Sequence, residues 1–408
     1  MRLYSVMTPR EVQNTIKAHF TPLELELIEL GASGGRVVGK NILAFEDVPG
    51  FDRSIVDGYA VRAADTFGAA ETLPAMLDFS GEVKMGEKAP SLAGGSCFYV
   101  PTGGMLPQGA DAVVMIEDTE MMGDLVNCFR QVAPGQNLIR RGEDLTQGDV
   151  VIEKGRRLRA AELGLLASLG ITEVSVYRNP LVAIYSTGDE IVPVHTANLA
   201  PGQIRDSNAL ALAELVRRQG GKVVQGGILR DDYAEFRQGI EDLLPNVDFL
   251  VLSGGSSVGK RDFTAKVMQE LGETGLLVEG IAIQPGKPTL LAKCKGKPVL
   301  GLPGHPVSAL NIFSLFGSCI MEQLQGFSGE NFPATVKAKL VRNIPSRQGR
   351  TDYVRVKLKR TGEELFAVPI FGRSGLLRTL ADADGVVLIP PGNEGFLAGR
   401  DVEVILWD

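Results

Sequence analysis

Five short segments of the 408-residue sequence combine residue types that could grip anions, polarise water or shape the turns around such groups. In SGGSSVGKRDFT at 253–264, Ser253, Gly254, Gly255 and Ser257 follow an apolar run. Small residues there let backbone N–H groups surround a phosphate before a helix begins. The spacing is not that of a Walker A loop. Asp262 lies just past the loop, where it either offers a hard oxygen to a divalent cation or caps the helix. PGKP at 285–288 presents Lys287 between two prolines, as a neutralising charge for a dianion or as a surface lysine. In GLPGHPVSA at 301–309, Pro303 and Pro306 shape a turn and Ser308 enters the helix that follows, whose N-terminus favours an oxyanion. His305 reads as a turn residue rather than a metal ligand, since the chain has three histidines. FDRSIVDGYAVRAAD at 51–65 carries an Asp57-Gly58 step that reads as a tight turn capped by Asp, and PTGGMLPQGADAVV at 101–114 reads as a Gly/Pro loop entering a buried strand.

Most of these segments need a parallel sheet to position them. LVAIYSTGDE, KVVQGGI and DFLVLSGG are apolar runs that break into glycine, and between them lie NALALAELVRRQGG, with Ser207 as N-cap, and DDYAEFRQGIEDLL. Alternating strands and helices predict a doubly wound α/β domain that binds its ligand at the carboxyl ends of the strands. The loops after Ser186, Ser253 and Leu302 are therefore the ones expected to meet a substrate. After Gly326, ATVKAKLV, DYVRVKLKR, ELFAVPIF, GVVLIP and DVEVILW predict a small antiparallel β domain. Residues 47–144 read as β-rich, and RAAELGLLASLG at 159–170 as a helix.

Composition bounds the rest. At 408 residues the chain exceeds the roughly 100 to 200 residues of one domain, and 44% hydrophobic with 22% charged residues is ordinary for a globular protein. Four cysteines without CxxC spacing argue for buried thiols over disulfides or zinc. A net charge of −7 disfavours nonspecific nucleic-acid binding. The first twenty residues lack a signal peptide's apolar core, and no stretch is expected to approach the ~20 residues of a membrane span. A cytoplasmic protein without membrane contact is the expectation.

Taken in order, FDRSIVDGYAVR, PTGGMLPQGADAVV, GQNLIRRGEDLTQGD, STGDEIV, GQIRDSNAL, SGGSSVGKRDFT, PGKP, GLPGHPVSA and GRTDYVRV resemble the molybdopterin molybdenumtransferase family, the MoeA proteins and the gephyrin E domain. The resemblance covers nearly the whole chain. It implies an α/β multidomain fold: a linker and dimerisation domain at 1–46 with 145–177, a β-rich domain at 47–144, a Rossmann-like molybdopterin-binding domain at 178–327 and a small C-terminal β-barrel at 328–408. It also implies a homodimer in which the α/β domain of one subunit faces the Asp57 segment of the other. The family's functional acids fall on Asp57, Asp144, Glu190, Asp231 and Asp262, with Thr102 beside them; Asp231 and Asp262 are the implied metal ligands. Lys287, Ser308, Arg350 and Ser374 match its oxyanion-binding set. The sequence departs from the family pattern at Arg53, Ser256, Lys260, Gln284 and His305.

The implied reaction inserts molybdate into adenylylated molybdopterin and releases AMP, with Mg²⁺ as cofactor and a molybdopterin adenylyltransferase as upstream partner. Such chemistry suits the residue types, because carboxylates hold Mg²⁺ while lysine, arginine and amides bind a dianion and a phosphoanhydride. Two alternatives are the preceding adenylylation of molybdopterin and a non-catalytic dimeric scaffold. The choice between molybdenum and tungsten stays open at this stage.

Overall fold

A computed structural model of the chain describes residues 6–254, 261–330 and 332–407, apart from the side chains of 261–263. The chain forms two compact units, Met1–Gly39 with Gly155–Arg159 and Val174–Asp408, and Lys40–Lys154 with Ala160–Glu173.

The first unit contains the sheet that the sequence predicts, with one difference. Its strand order is Lys222–Leu229, Leu181–Thr187, Phe249–Gly254, Lys297–Leu302, Leu290–Cys294 and Leu276–Glu279. The first four are parallel, whereas Leu290–Cys294 runs against them and pairs antiparallel with both Lys297–Leu302 and the edge strand Leu276–Glu279. The reversal is local: Lys295 and Gly296, both at positive φ, make a two-residue turn that pairs Cys294 with Lys297.

Alternate residues of each buried strand feed two cores, because successive side chains point to opposite faces. Val182, Ile184, Phe249, Val251, Leu300 and Leu302 pack with Leu212 and Val216 of the helix Asn208–Arg218 and with Ile312 and Phe313. Ala183, Leu250, Leu252 and Val299 pack instead with Phe236, Ile240, Val267 and Met268 from the two helices on the other face. Val12 and Ile16 of the N-terminal helix Pro9–His19 join the first core. That helix begins in a full capping box between Thr8 and Glu11.

Among the described residues one helical run, Pro306–Leu324, is long and apolar enough to cross a membrane, contrary to the sequence expectation. Its apolar residues have a different destination: Ala309, Ile312, Phe313, Phe316 and Ile320 are fully buried against the sheet. Mid-length, Phe313–Gly317 widens into a π-helical turn.

The C-terminal strands Thr335–Leu340, Thr351–Thr361, Glu364–Pro369, Gly385–Ile389 and Asp401–Leu406 pair in a ring, so they close into a five-stranded barrel. One of these pairings, Lys339–Leu340 with Phe366–Ala367, is parallel. This corrects the expectation of a purely antiparallel domain, since closure forces two non-consecutive strands together in whichever direction the chain delivers them. Ala338, Leu340, Val356, Ala367, Val387 and Val404 fill its interior.

The second unit is built on a six-stranded sheet in the order Ala112–Met115, Gly58–Val61, Ser96–Val100, Ala75–Glu82, Leu125–Cys128 and Thr119–Met122. Tyr59, Val61, Leu77 and Val114 supply one core, and Ala60, Phe98, Val100 and Val113 the other. All four cysteines are free thiols, and burial pushes Cys97 up to about 12, so it is not a nucleophile at neutral pH.

Candidate active site

Parallel register decides what gathers at one end of the α/β sheet. Ser186 lies opposite Ser253, Thr187 opposite Gly254, and Ser253 opposite Leu302 on the far side. The chain leaves all three strands there, and the loops enclose a cleft of about 380 Å³. Its floor is polar yet buried: Ser186, Thr187, Ser253 and Asn208 are each 9% exposed or less. Gly254 is required by close approach, because a Cβ there would sit 2.3 Å from the Thr187 carbonyl oxygen.

Carboxylates rim the cleft. Glu190, Asp206 and Asp231 all line it. Asp231 is fixed by a reciprocal pair of bonds, its amide donating to the Asp189 carboxylate at 3.0 Å and the Asp189 amide donating back at 3.1 Å. Asp206 accepts from the Ala209 amide at 3.1 Å, and so caps the helix that begins at Asn208. The sequence assigns that cap to Ser207, which holds the N-cap position without a side-chain bond. Ser207 carries helical backbone angles there, whereas a capping hydroxyl needs extended ones.

A helix N-terminus meets the same cleft. His305 occupies the N-cap and Pro306 the first turn, where a missing N–H costs nothing. Gly304, His305 and Pro306 line the cleft, while Pro303 is buried in the turn and Ser308 points inward, 6% exposed. Ser374 arrives from the barrel: its hydroxyl pairs with His305 Nδ1 at 2.9 Å, and its carbonyl accepts from the Val307 amide at 3.1 Å.

Strand pairing brings the segment that leads into the PGKP loop beside the strand that follows Arg350. Ile283 and Gln284 run beside Thr351 and Asp352, which sets the PGKP loop next to the start of the barrel strand. The loop is pinned from both sides, with Asn311 Nδ2 donating to the Pro285 carbonyl at 2.9 Å and the Ile281 amide donating to the Lys287 carbonyl at 2.9 Å. Lys287 itself is exposed. Arg350 donates from Nε and Nη2 to Asp352 at 2.7 and 3.2 Å.

In the second unit, Asp57 and Thr102 come together. Asp57 Oδ1 accepts from the Thr102 amide at 2.7 Å and from its hydroxyl at 3.0 Å. The next residue, Gly58, opens a strand rather than completing a turn, and a Cβ there would sit 2.0 Å from the Val114 carbonyl oxygen. Asp144 stands apart on an exposed turn, its amide bonded to the Val48 carbonyl. Asp57, Thr102 and Asp144 thus belong to one unit, and Glu190, Asp231, Lys287, Ser308, Arg350 and Ser374 to the other.

Gly255 and Ser257 lie outside the described residues, as does the side chain of Asp262, which stands second in the helix Arg261–Leu271. Among the described residues no three His, Cys, Asp or Glu side chains are grouped to hold a metal. Sequence reasoning assigned no role to Ser186, Thr187, Asp206 or Asn208. Their one signal was a hydroxyl pair ending an apolar strand, in segments otherwise quoted only as a pattern.

Known proteins resemble this architecture throughout. Residues 7–170 match the MoeA N-terminal region (domain I and II), 183–323 the probable molybdopterin binding domain, and 337–407 the MoeA C-terminal region (domain IV). The molybdopterin molybdenumtransferase of Haemophilus influenzae is 37% identical over 82% of this chain and 81% of its own. That of Bacillus subtilis is 32% identical over 98% and 94%. Two crystal structures of molybdopterin biosynthesis MoeA protein from Pyrococcus horikoshii align with TM-scores of 0.79 at 38% identity and 0.85 at 31% identity. They cover 98% and 99% of this chain, and 99% and 100% of their own. The chain belongs to the MoeA family of molybdopterin molybdenumtransferases.

Proposed function

We infer that this protein completes molybdenum cofactor assembly, inserting molybdate into adenylylated molybdopterin with release of AMP. The observation that carries the reading is the cleft at the carboxyl ends of the parallel strands. It joins buried hydroxyls, a helix N-terminus and three carboxylates in one place. Such a site matches a substrate that is a heterocycle at one end and a phosphoanhydride in the middle. The PGKP loop and Arg350 form the second, cationic region, suited to molybdate.

Mg²⁺ is tested by the donor set. The cleft rim offers three carboxylates, and Mg²⁺ is commonly held by one or two carboxylates plus substrate phosphates rather than by a protein cage. Asp231 and Glu190 would hold it, with Asp262 at the start of the adjoining helix; bound there, it supplies charge neutralisation at the phosphoanhydride. The protein's own groups do the rest. The Asp189 and Asp231 pairing fixes a carboxylate at the rim, Ser374 orients His305 through Nδ1, and Lys287 compensates the oxyanion. The dithiolene thiols of the substrate then replace an oxygen of molybdate, which leaves with their two protons as water, and a water attacks the phosphoanhydride, breaking its P–O bond to free AMP.

The working form we propose is a cytoplasmic homodimer, in which the Asp57 corner of one subunit serves the cleft of the other. The concentration of the functional motifs in two distant segments, around Asp57 and across 186–309, supports this reading. A molybdopterin adenylyltransferase supplies the substrate.

The test supplies purified protein with adenylylated molybdopterin and either molybdate or tungstate, measuring AMP and cofactor. Mixed Asp57→Asn and Asp262→Asn subunits should recover activity that neither variant has alone. Consumption of ATP with free molybdopterin would mark an adenylyltransferase instead. Absence of AMP release under all conditions would leave only a scaffold.

A further inference from the structure

The cleft floor contains a buried acceptor that its own fold leaves unmatched. Asn208 is 9% exposed and lines the cleft. Its Nδ2 gives one proton to Ser253 Oγ and one to the Gly304 carbonyl, both at 2.9 Å. Because a carbonyl only accepts, the nitrogen must face Gly304, so the amide has one orientation. Its Oδ1 is therefore fixed, buried and without a hydrogen-bond partner among the described residues. The hydroxyls of Ser186 and Thr187, at the carboxyl end of the neighbouring strand, are also buried and without a partner among the described residues. Orphaned groups of this kind are rare in folded proteins, and leaving them so is costly.

The chemistry of the missing partner follows from the atom types. An amide oxygen cannot accept from a phosphate or molybdate oxygen, which has no proton to give. Two lone-pair surfaces would instead repel. A ring edge bearing an N–H fits, with an adjacent ring acceptor taking a proton from Ser186 or Thr187. Ser253 Oγ already accepts from Asn208, so its own proton is available to the same edge.

We propose that Asn208 is a specificity-determining residue that reads the N–H edge of the substrate's heterocycle, while the anionic groups lie off this floor. The proposal rests on the cleft being the substrate site. Adenylylated molybdopterin has two rings with such an edge, adenine and pterin, and the same chemistry serves either.

Binding to the full-length wild-type protein separates these cases by calorimetry. AMP is compared with purine riboside 5′-monophosphate, which lacks the amino group. A pterin is compared with its analogue methylated on the 2-amino and N3 positions. One pair should differ about tenfold or more, as expected for a buried group left unpaired, and the pair that does so names the ring. In Asn208→Leu that difference should collapse toward unity, with ribose 5-phosphate binding unchanged. If the variant does not fold, the wild-type comparison decides alone. Failure of both pairs to discriminate, or discrimination that survives in Asn208→Leu, overturns the proposal. Cofactor formation is scored separately, so a protein that discriminates rings but makes no cofactor overturns the functional reading instead.

Discussion

Two arginine–aspartate forks in this molecule are both bidentate and differ in what surrounds them. Arg178 donates from Nη1 and Nη2 to Asp248 at 2.6 and 2.8 Å and from Nε to Glu24 at 2.6 Å. Asp248 also takes the Leu181 amide at 2.7 Å, so this fork ties the amino end of a central strand. Arg350 spends only Nε and Nη2 on Asp352, whose other support is the Ser346 hydroxyl at 2.9 Å. Its Nη1 has no hydrogen bond among the described residues, and the side chain is 33% exposed beside the PGKP loop. The first fork engages all three guanidinium nitrogens. The second is a neutral pair with a donor to spare, so it can orient an oxyanion but not balance its charge. That balance falls to Lys287, whose ammonium is exposed on a pinned loop.

The largest stability effect should come from breaking the Arg178 fork. Asp248→Asn is expected to cost about 3 kcal/mol in urea unfolding at pH 7, because it leaves Arg178 half-buried with a weaker partner. Although burial pushes Asp248 up, the bonds from Arg178 and the Leu181 amide hold its carboxyl below the usual range. A depressed carboxylate stabilises fully above about pH 4 and loses that contribution as pH falls through its folded value. The wild-type protein should therefore destabilise more steeply than Asp248→Asn in acid. Parallel slopes would remove this fork from the acid response.

Arg350→Ala comes next, at about 2 kcal/mol, since it strands Asp352, which is 5% exposed. Adding Asp352→Asn should restore part of the loss. A double variant no better than the single would show that the guanidinium stem, and not the charge pair, holds the strand start. Smallest in stability is Lys287→Ala, under about 0.5 kcal/mol as for an exposed side chain. Its effect should appear in function, as a rise of about tenfold in the molybdate needed for half-maximal cofactor formation. A normal molybdate requirement would shift the charge-balancing role away from the loop.

These elements differ in how legible they are. The parallel strands and their helices can be read directly, because LVAIYSTGDE and DFLVLSGG are continuous apolar runs that only double burial explains. The direction of pairing cannot: nothing local to ELFAVPIF says that it runs parallel to Thr335–Leu340. Residue types with anion chemistry stand out in PGKP and GLPGHPVSA. The role of Asn208 does not, since it depends on which of its atoms the Ser253 hydroxyl and Gly304 carbonyl leave unused. Likewise Asp206 and Ser207 are both good capping residues, and only backbone angles chose between them.

Barrel closure has a consequence for how this chain tolerates damage. In the ring every strand has two hydrogen-bonded neighbours, so the barrel offers no open border to another polypeptide. The strand Asp401–Leu406 is the last to be made, yet it bridges Thr335–Leu340 and Gly385–Ile389. Until it is in place, a nascent or truncated chain displays two unsatisfied strand borders, one along Val336 and Ala338 and one along Val386 and Val387. Loss of this single strand would convert a self-contained barrel into a template for intermolecular strand addition, and aggregation rather than slow unfolding would be the visible failure.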